Sequence, residues 1–164
     1  MLSDNQALSD FNALTLEGIS VLDTLITLLD RELEALQNRD LDAINAINQD
    51  KQHALLAFDK NNHDRNQLLE SRDLPIDKQG IQALQKSATD SLLAKEFSNN
   101  WQQIEQTLER AMSANKRNEI VLARSKQNVE KLISLLRGQN PKNTLYDAKG
   151  GKGDYSSQSR IGKA

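Results

Sequence analysis

The 164-residue sequence contains no cysteine, only two prolines and seven glycines, and only six aromatic side chains. Without cysteine there can be no disulfide, no thiolate-ligated zinc, no iron–sulfur cluster and no thiol catalysis. So few prolines and glycines leave little material for turns, and valine, tyrosine and phenylalanine are too scarce for a β-sandwich. The composition therefore favours an all-α protein built from long helices.

The sequence also lacks the charge balance of a nucleic-acid-binding protein and the motifs of an enzyme. Its net charge is −2, which excludes a generally basic protein. The two histidines, His53 and His63, have no metal-binding spacing and are predicted to lie on the surface. Residues 150–153, Gly-Gly-Lys-Gly, lack the spacing and flanking elements of a phosphate-binding loop. We expect no catalysis, no metal, no cofactor and no nucleic-acid partner.

Two further features predict neither secretion nor membrane insertion. Residues 1–5 contain no basic side chain before an apolar stretch, so we expect no secretory signal. The most apolar segment, residues 14–36, is interrupted by charged side chains, so we expect no membrane insertion. The interrupting residues are Glu17, Asp23, Asp30, Arg31, Glu32 and Glu34.

Capping residues and breaks divide the chain into four predicted helices. The first begins near Ser3, which with Gln6 forms a capping box, and ends near Asn38. The second starts at Asp40 and runs for about thirty residues, because the apolar 3/4 spacing continues that far. Pro75 marks a break. The remaining helices are a short one after Asp77 that ends near Ser87 and a long one from about Asp90 to Arg137, which Gly138 and Pro141 terminate.

Heptad seams run along the first and last of these helices. The seam of the first contains Ile19, Leu22, Ile26, Leu29, Leu33 and Leu36. The seam of the last contains Phe97, Trp101, Ile104, Leu108, Ala111, Asn115, Asn118, Leu122, Ser125, Val129, Leu132 and Leu136. The other helices cannot cover all of the last helix unless they are similarly long.

These elements predict one domain followed by a tail. Residues 1–138 form an elongated antiparallel helical bundle or coiled coil of three long helices and one short helix. Residues 139–164 hold four of the seven glycines and carry a net charge of +3. They have too few apolar residues to offset their chain entropy, so we expect a disordered tail.

Three features admit both a structural and a functional interpretation. Asn115, Asn118 and Ser125 either set the register of the last helix or keep a surface free for a partner. The apolar residues from Leu122 to Leu136 either pack in the core or form a partner-binding face. The pair Leu145-Tyr146 is either incidental or a short docking motif in the tail.

The same residues resemble the FlgN family of flagellar export chaperones. The pattern comprises Lys51, Leu55-Leu56, Arg65, Leu68-Leu69, Leu74-Pro75, Trp101, Asn115, Asn118 and Leu122, then Leu135-Leu136-Arg137-Gly138 and the tail Leu145-Tyr146-Asp147-Ala148-Lys149-Gly150. The resemblance implies a cytosolic helical protein that binds hook–filament junction proteins and keeps them from associating prematurely. It also implies delivery of these clients to the cytosolic domain of the type III export gate.

Residue roles follow only from this resemblance. It makes Asn118, Leu122, Val129, Leu132 and Leu136 the candidates for client binding. It makes Leu145 and Tyr146 the candidates for docking on the export gate. The alternative function is a homodimeric coiled-coil adaptor or regulatory protein that pairs through the same seam.

Overall fold

The protein is described by a computed structural model that covers residues 3–137 and the backbone of residues 144–146 and 152–154. The helices are α1 (Asp4–Asn38), α2 (Leu41–Glu70), α3 (Lys78–Ser87) and α4 (Ser91–Leu136). The short strands β1 (Thr144–Tyr146) and β2 (Lys152–Asp154) pair antiparallel. The chain divides into two compact units, Met1–Glu119 and Ile120–Ala164. The predicted all-α architecture of three long helices and one short helix is confirmed.

Side-chain caps fix where each helix begins. The hydroxyl of Ser3 accepts a hydrogen bond from the Gln6 backbone N–H at 3.2 Å. The carboxylates of Asp40, Asp77 and Asp90 each accept hydrogen bonds from the first turn of α2, α3 and α4, respectively. These contacts satisfy backbone donors that have no partner inside the helix. The predicted helix starts are therefore confirmed.

Contacts between elements give the directions of the helices in the first unit. α1 ends at Arg39, whose φ of 55° lies in the left-handed region, and α2 then folds back against α1. α4 runs in the same direction as α1. Its start bonds to the start of α1 through Asn5 and Thr89, and Asn118 bonds to Leu29 far along both helices.

Two apolar clusters form the core of the first unit. One lies where α1, α2 and α4 pack together, and its buried members include Leu22, Leu29, Ile47 and Ile104. The other joins the start of α1, the end of α2, α3 and the start of α4, and it contains Ala7, Leu8, Phe11, Leu69, Leu84 and Phe97. The short α3 thus covers the second cluster at one end of this unit.

The inward-facing seam of α4 differs from the predicted one after Ile104. The buried positions are Thr107, Ala111 and Ala114, whereas Leu108 is 39% exposed and Asn115 is exposed. The predicted and the observed positions both follow the 3/4 spacing of a helix. The prediction that Leu108 faces inward was therefore wrong, although the spacing allowed it. Thr107 tolerates burial because its hydroxyl donates to the Gln103 carbonyl at 2.8 Å.

A glycine allows α3 to begin close to the preceding loop. A Cβ on Gly80 would lie 1.8 Å from the carbonyl oxygen of Pro75, which is far inside contact distance. Glycine weakens a helix relative to alanine, but at this position it has a packing reason, because no side chain fits between α3 and this loop.

In the C-terminal segment the structure describes only β1 and β2, in which Leu145 is paired with Gly153. This pairing was not predicted, since the segment was expected to be disordered. An isolated two-stranded hairpin is marginally stable in water, so the disordered tail stays a prediction. The predicted domain boundary at Gly138 also remains a prediction, and the division into compact units falls earlier, at Glu119.

Candidate binding surface

Large apolar side chains are exposed along α4 from residue 120 to its end. Leu122, Val129, Leu132 and Leu136 are 56%, 54%, 59% and 88% exposed. Three more large apolar residues in this stretch, Ile120, Ile133 and Leu135, are 42%, 42% and 57% exposed. We call Leu122, Val129, Leu132, Ile133 and Leu136 the apolar stripe, because helical spacing places them on one side of α4. Exposed apolar surface of this extent is typical of a binding site.

Asn118, the remaining client-binding candidate, is only 3% exposed, and its side chain points inward. Its amide nitrogen donates to the Leu29 carbonyl at 2.7 Å and to Glu32 Oε2 at 2.8 Å. Its amide oxygen accepts from Arg117 Nε at 3.1 Å. Because both donors and the oxygen have partners, the structure supports the register interpretation of this residue. Client contact by Asn118 stays a prediction.

The contacts of Asn118 belong to a wider polar cluster that joins α1, α2 and α4. Glu32 Oε1 accepts from Lys51 Nζ at 2.7 Å, so both oxygens of this nearly buried carboxylate are bonded. Arg117 Nη2 pairs with Asp30 at 2.9 Å on the more exposed side. We call Asp30, Glu32, Lys51, Arg117 and Asn118 the polar clasp. The sequence indicated a polar block here but not its partners, because Glu32 and Lys51 lie on other helices.

A second buried charge lies near the opposite end of the first unit. Arg65 is 5% exposed, and its guanidinium lies 5.8 Å from the ring of Phe58 and 5.6 Å from that of Trp101. Among the described residues, no carboxylate pairs with Arg65 and its Nε has no hydrogen-bond partner. Burial lowers the pKa of the Arg65 side chain. The two ring contacts, together with a hydrogen bond of 3.5 Å that Arg65 Nη2 donates to Asn62 Oδ1, offset part of this desolvation.

Trp101 belongs to an aromatic cluster that stabilises the same end of the bundle. Its ring centroid lies 5.9 Å from that of Phe11 and 6.1 Å from that of Phe97. Its indole N–H donates to Glu105 at 2.8 Å. The tryptophan that contributed to the family resemblance therefore serves packing.

Among the described residues, the grooves and the groups of possible metal ligands are weaker candidates for a functional site than the apolar stripe. A groove of about 680 Å³ lies between α1 and α4 in the first unit. It is shallow and mixed in character, with Ile26, Asp30, Arg110 and Arg117 among its lining residues. His53 and His63 are both exposed, as predicted. Within residues 3–137, no group of three His, Asp or Glu side chains is placed to hold a metal ion.

α1 is long and apolar enough to cross a membrane by length and composition. However, thirteen of its residues are buried in the first unit. The core helix of a bundle meets the same criteria of length and composition, so these criteria are weak evidence for membrane insertion.

The two gate-docking candidates lie where only the backbone is described. Leu145 and Tyr146 belong to β1, and their side chains fall outside the described part of the chain. Their role therefore stays a prediction from the resemblance.

Comparison with known proteins decides the family. The family model for FlgN protein matches residues 7–153, which is most of the chain and includes α4 and β1. The chain belongs to the FlgN family. FlgN is a family of flagellar synthesis proteins rather than of known enzymes, and a chaperone role in flagellum biogenesis fits this all-α member.

A solved structure shows the same fold. The crystal structure of a protein from Pseudomonas aeruginosa, named as a flagella synthesis protein FlgN, aligns with a TM-score of 0.60 at 23% identity. The alignment covers 70% of this FlgN family member and 88% of that chain. The comparison with curated proteins finds no match. The helical fold predicted from the sequence is thus shared with a solved structure.

Proposed function

We propose that this chain is a cytoplasmic flagellar export chaperone whose apolar stripe binds hook–filament junction proteins. The observation that carries the proposal is the set of large apolar side chains of α4, 42–88% exposed between residues 120 and 136. Leaving such residues in water is unfavourable, since each fully buried leucine contributes roughly 1.5–3 kcal/mol. A partner that covers them recovers this free energy.

The proposed mechanism is reversible burial of a client's amphipathic helices. Those helices form bundles in the assembled polymer, so their apolar faces would otherwise pair prematurely. An amphipathic client helix that lies along the apolar stripe is shielded in the same way. The cycle needs no nucleotide, because binding alone keeps the client unassembled.

Delivery to the export gate is assigned to the C-terminal segment. Leu145 and Tyr146 are proposed to dock on the cytosolic domain of the gate. A tyrosine suits this role because its ring supplies apolar area and its hydroxyl a hydrogen bond. The support is the family membership together with the position of this pair outside the helices.

Light scattering after size-exclusion chromatography tests the proposal with purified chain and purified junction protein. We expect a soluble complex of fixed stoichiometry, and a junction protein that stays unassembled within it. The contrasting result is a stable homodimer that forms no such complex. That result would support the homodimeric adaptor instead.

A further inference from the structure

The two compact units carry net charges of opposite sign. Residues 1–119 contain twenty acidic and twelve basic side chains, a net charge of −8. Residues 120–164 contain nine basic and three acidic side chains, a net charge of +6. The overall charge of −2 hides this asymmetry.

Half of the net charge of residues 120–164 lies on residues 120–137, the part of the chain that carries the apolar stripe. Between residues 120 and 137 there are four basic side chains and one acidic side chain, Glu130, and all five are exposed. The basic residues are Arg124, Lys126, Lys131 and Arg137. Lys126 is four residues after Leu122 and three before Val129, so helical spacing places it at the edge of the stripe.

From this arrangement we infer the chemistry of the occupant: an amphipathic helix whose apolar side is bordered by acidic residues. The inference rests on the proposed function and specifies its partner. An α-helix is about 10–12 Å across, and the Debye length is about 8 Å at physiological salt. Helical spacing places Lys126 and Arg137 at the edge of the stripe, so they face the flank of any helix that covers it and favour acidic residues there, whereas Arg124 and Lys131 lie on the far side of α4.

The same charges disfavour a second copy of this segment as the occupant. Pairing two copies of residues 120–137 brings a net charge of +3 against +3. Like charges that flank an apolar seam oppose pairing, whereas opposite charges select the partner. The basic stretch therefore selects against self-pairing and for an acidic partner.

Two synthetic helical peptides test the inference with the full-length chain. Both carry the same leucine heptads, and the flanking positions are glutamate in one peptide and lysine in the other. Fluorescence anisotropy at low salt should show that the glutamate peptide binds at least tenfold more tightly. This ratio should fall towards one in 0.5 M salt, because salt screens exposed charges.

Charge-reversal variants sharpen the test. The double variant Lys126→Glu, Arg137→Glu should prefer the lysine peptide. The matched control reverses two exposed lysines of the first unit, Lys86→Glu and Lys95→Glu. It should retain the preference for the glutamate peptide.

The outcomes separate this inference from the proposed function. If a junction protein binds but the two peptides bind equally, or neither binds, the charge inference is wrong and the chaperone proposal stands. Self-association that competes with the glutamate peptide in sedimentation would also overturn the inference, in favour of a second copy. If Leu132→Asp/Leu136→Asp leaves binding of the junction protein intact, the proposed site itself is wrong.

Discussion

Asn118→Ala should destabilise the bundle although it removes only one small side chain. The variant deletes the hydrogen bond to the Leu29 carbonyl and the one to the Glu32 carboxylate. A neutral hydrogen bond contributes about 0.5–1.5 kcal/mol and one to a charged group about 1.5–3 kcal/mol. The deletion also leaves a nearly buried carboxylate with Lys51 as its remaining described partner. We expect the free energy of unfolding to fall by about 2–4 kcal/mol.

Urea unfolding followed by circular dichroism measures this loss, and Asn115→Ala is the matched control. Asn115 is exposed, and its amide donates to Glu119 one turn along α4. Its removal should change stability by no more than about 0.5 kcal/mol. In a Glu32→Gln background the cost of Asn118→Ala should shrink, because the charged partner is gone. If Asn118→Ala lowers the free energy of unfolding as little as Asn115→Ala does, the polar clasp does not stabilise the bundle. Weaker client binding at unchanged stability would instead make Asn118 a contact residue.

Three further variants test other parts of the account. Gly80→Ala should lower the melting temperature. Its Cβ would lie 1.8 Å from the Pro75 carbonyl oxygen, which places the overpacking cost near the upper end of about 1–3 kcal/mol, above the helix-propensity gain of about 1 kcal/mol; a higher melting temperature would contradict this. Arg65→Met should leave the melting temperature unchanged or raise it, since an apolar side chain avoids the desolvation that lowers the pKa of Arg65; a loss above about 2 kcal/mol would show that the cation–π contacts dominate. Tyr146→Ala should leave stability and client affinity unchanged but weaken binding to the gate's cytosolic domain at least tenfold, about 1.4 kcal/mol. If the variant binds the gate as tightly as the unmodified chain, both without client and with client bound, Tyr146 has no docking role.

Local rules predicted the helices and their starts well. Ser3, Asp40 and Asp77 cap the helices that their spacing indicated. The break around Pro75 also falls where it was predicted. These features depend on residues within one turn of each other, so the sequence contains all the information needed.

Contacts between helices could not be predicted in the same way. Asn115 and Asn118 have equivalent places in a heptad pattern, but only Asn118 is inside, because α4 presents Thr107 and Ala114 to its neighbours. Glu32 had no visible partner in the sequence, since Lys51 and Asn118 come from other helices. Small residues at close contacts decide helix rotation, and periodicity alone does not distinguish them from a neighbouring leucine.

The candidate site was predicted in part. From the sequence, the apolar C-terminal half of the last helix could either pack in the core or form a partner-binding face. Leu122, Val129, Leu132 and Leu136 are indeed exposed, whereas Asn118 is not. Whether a client covers the four apolar residues depends on a molecule outside the chain, so exposure alone supports a proposal.

The most direct test is calorimetric titration of a hook–filament junction protein into Leu132→Asp/Leu136→Asp. The control, Leu56→Asp/Leu92→Asp, changes two leucines of the first unit that are 67% and 79% exposed. Circular dichroism should show that both variants stay helical, because all four leucines are exposed. We expect the control to bind like the unmodified chain and the test variant to lose more than a hundredfold in affinity, as two leucine burials at roughly 1.5–3 kcal/mol each are removed. Equal affinity of the two variants for the junction protein would contradict the assignment of the apolar stripe as the client site.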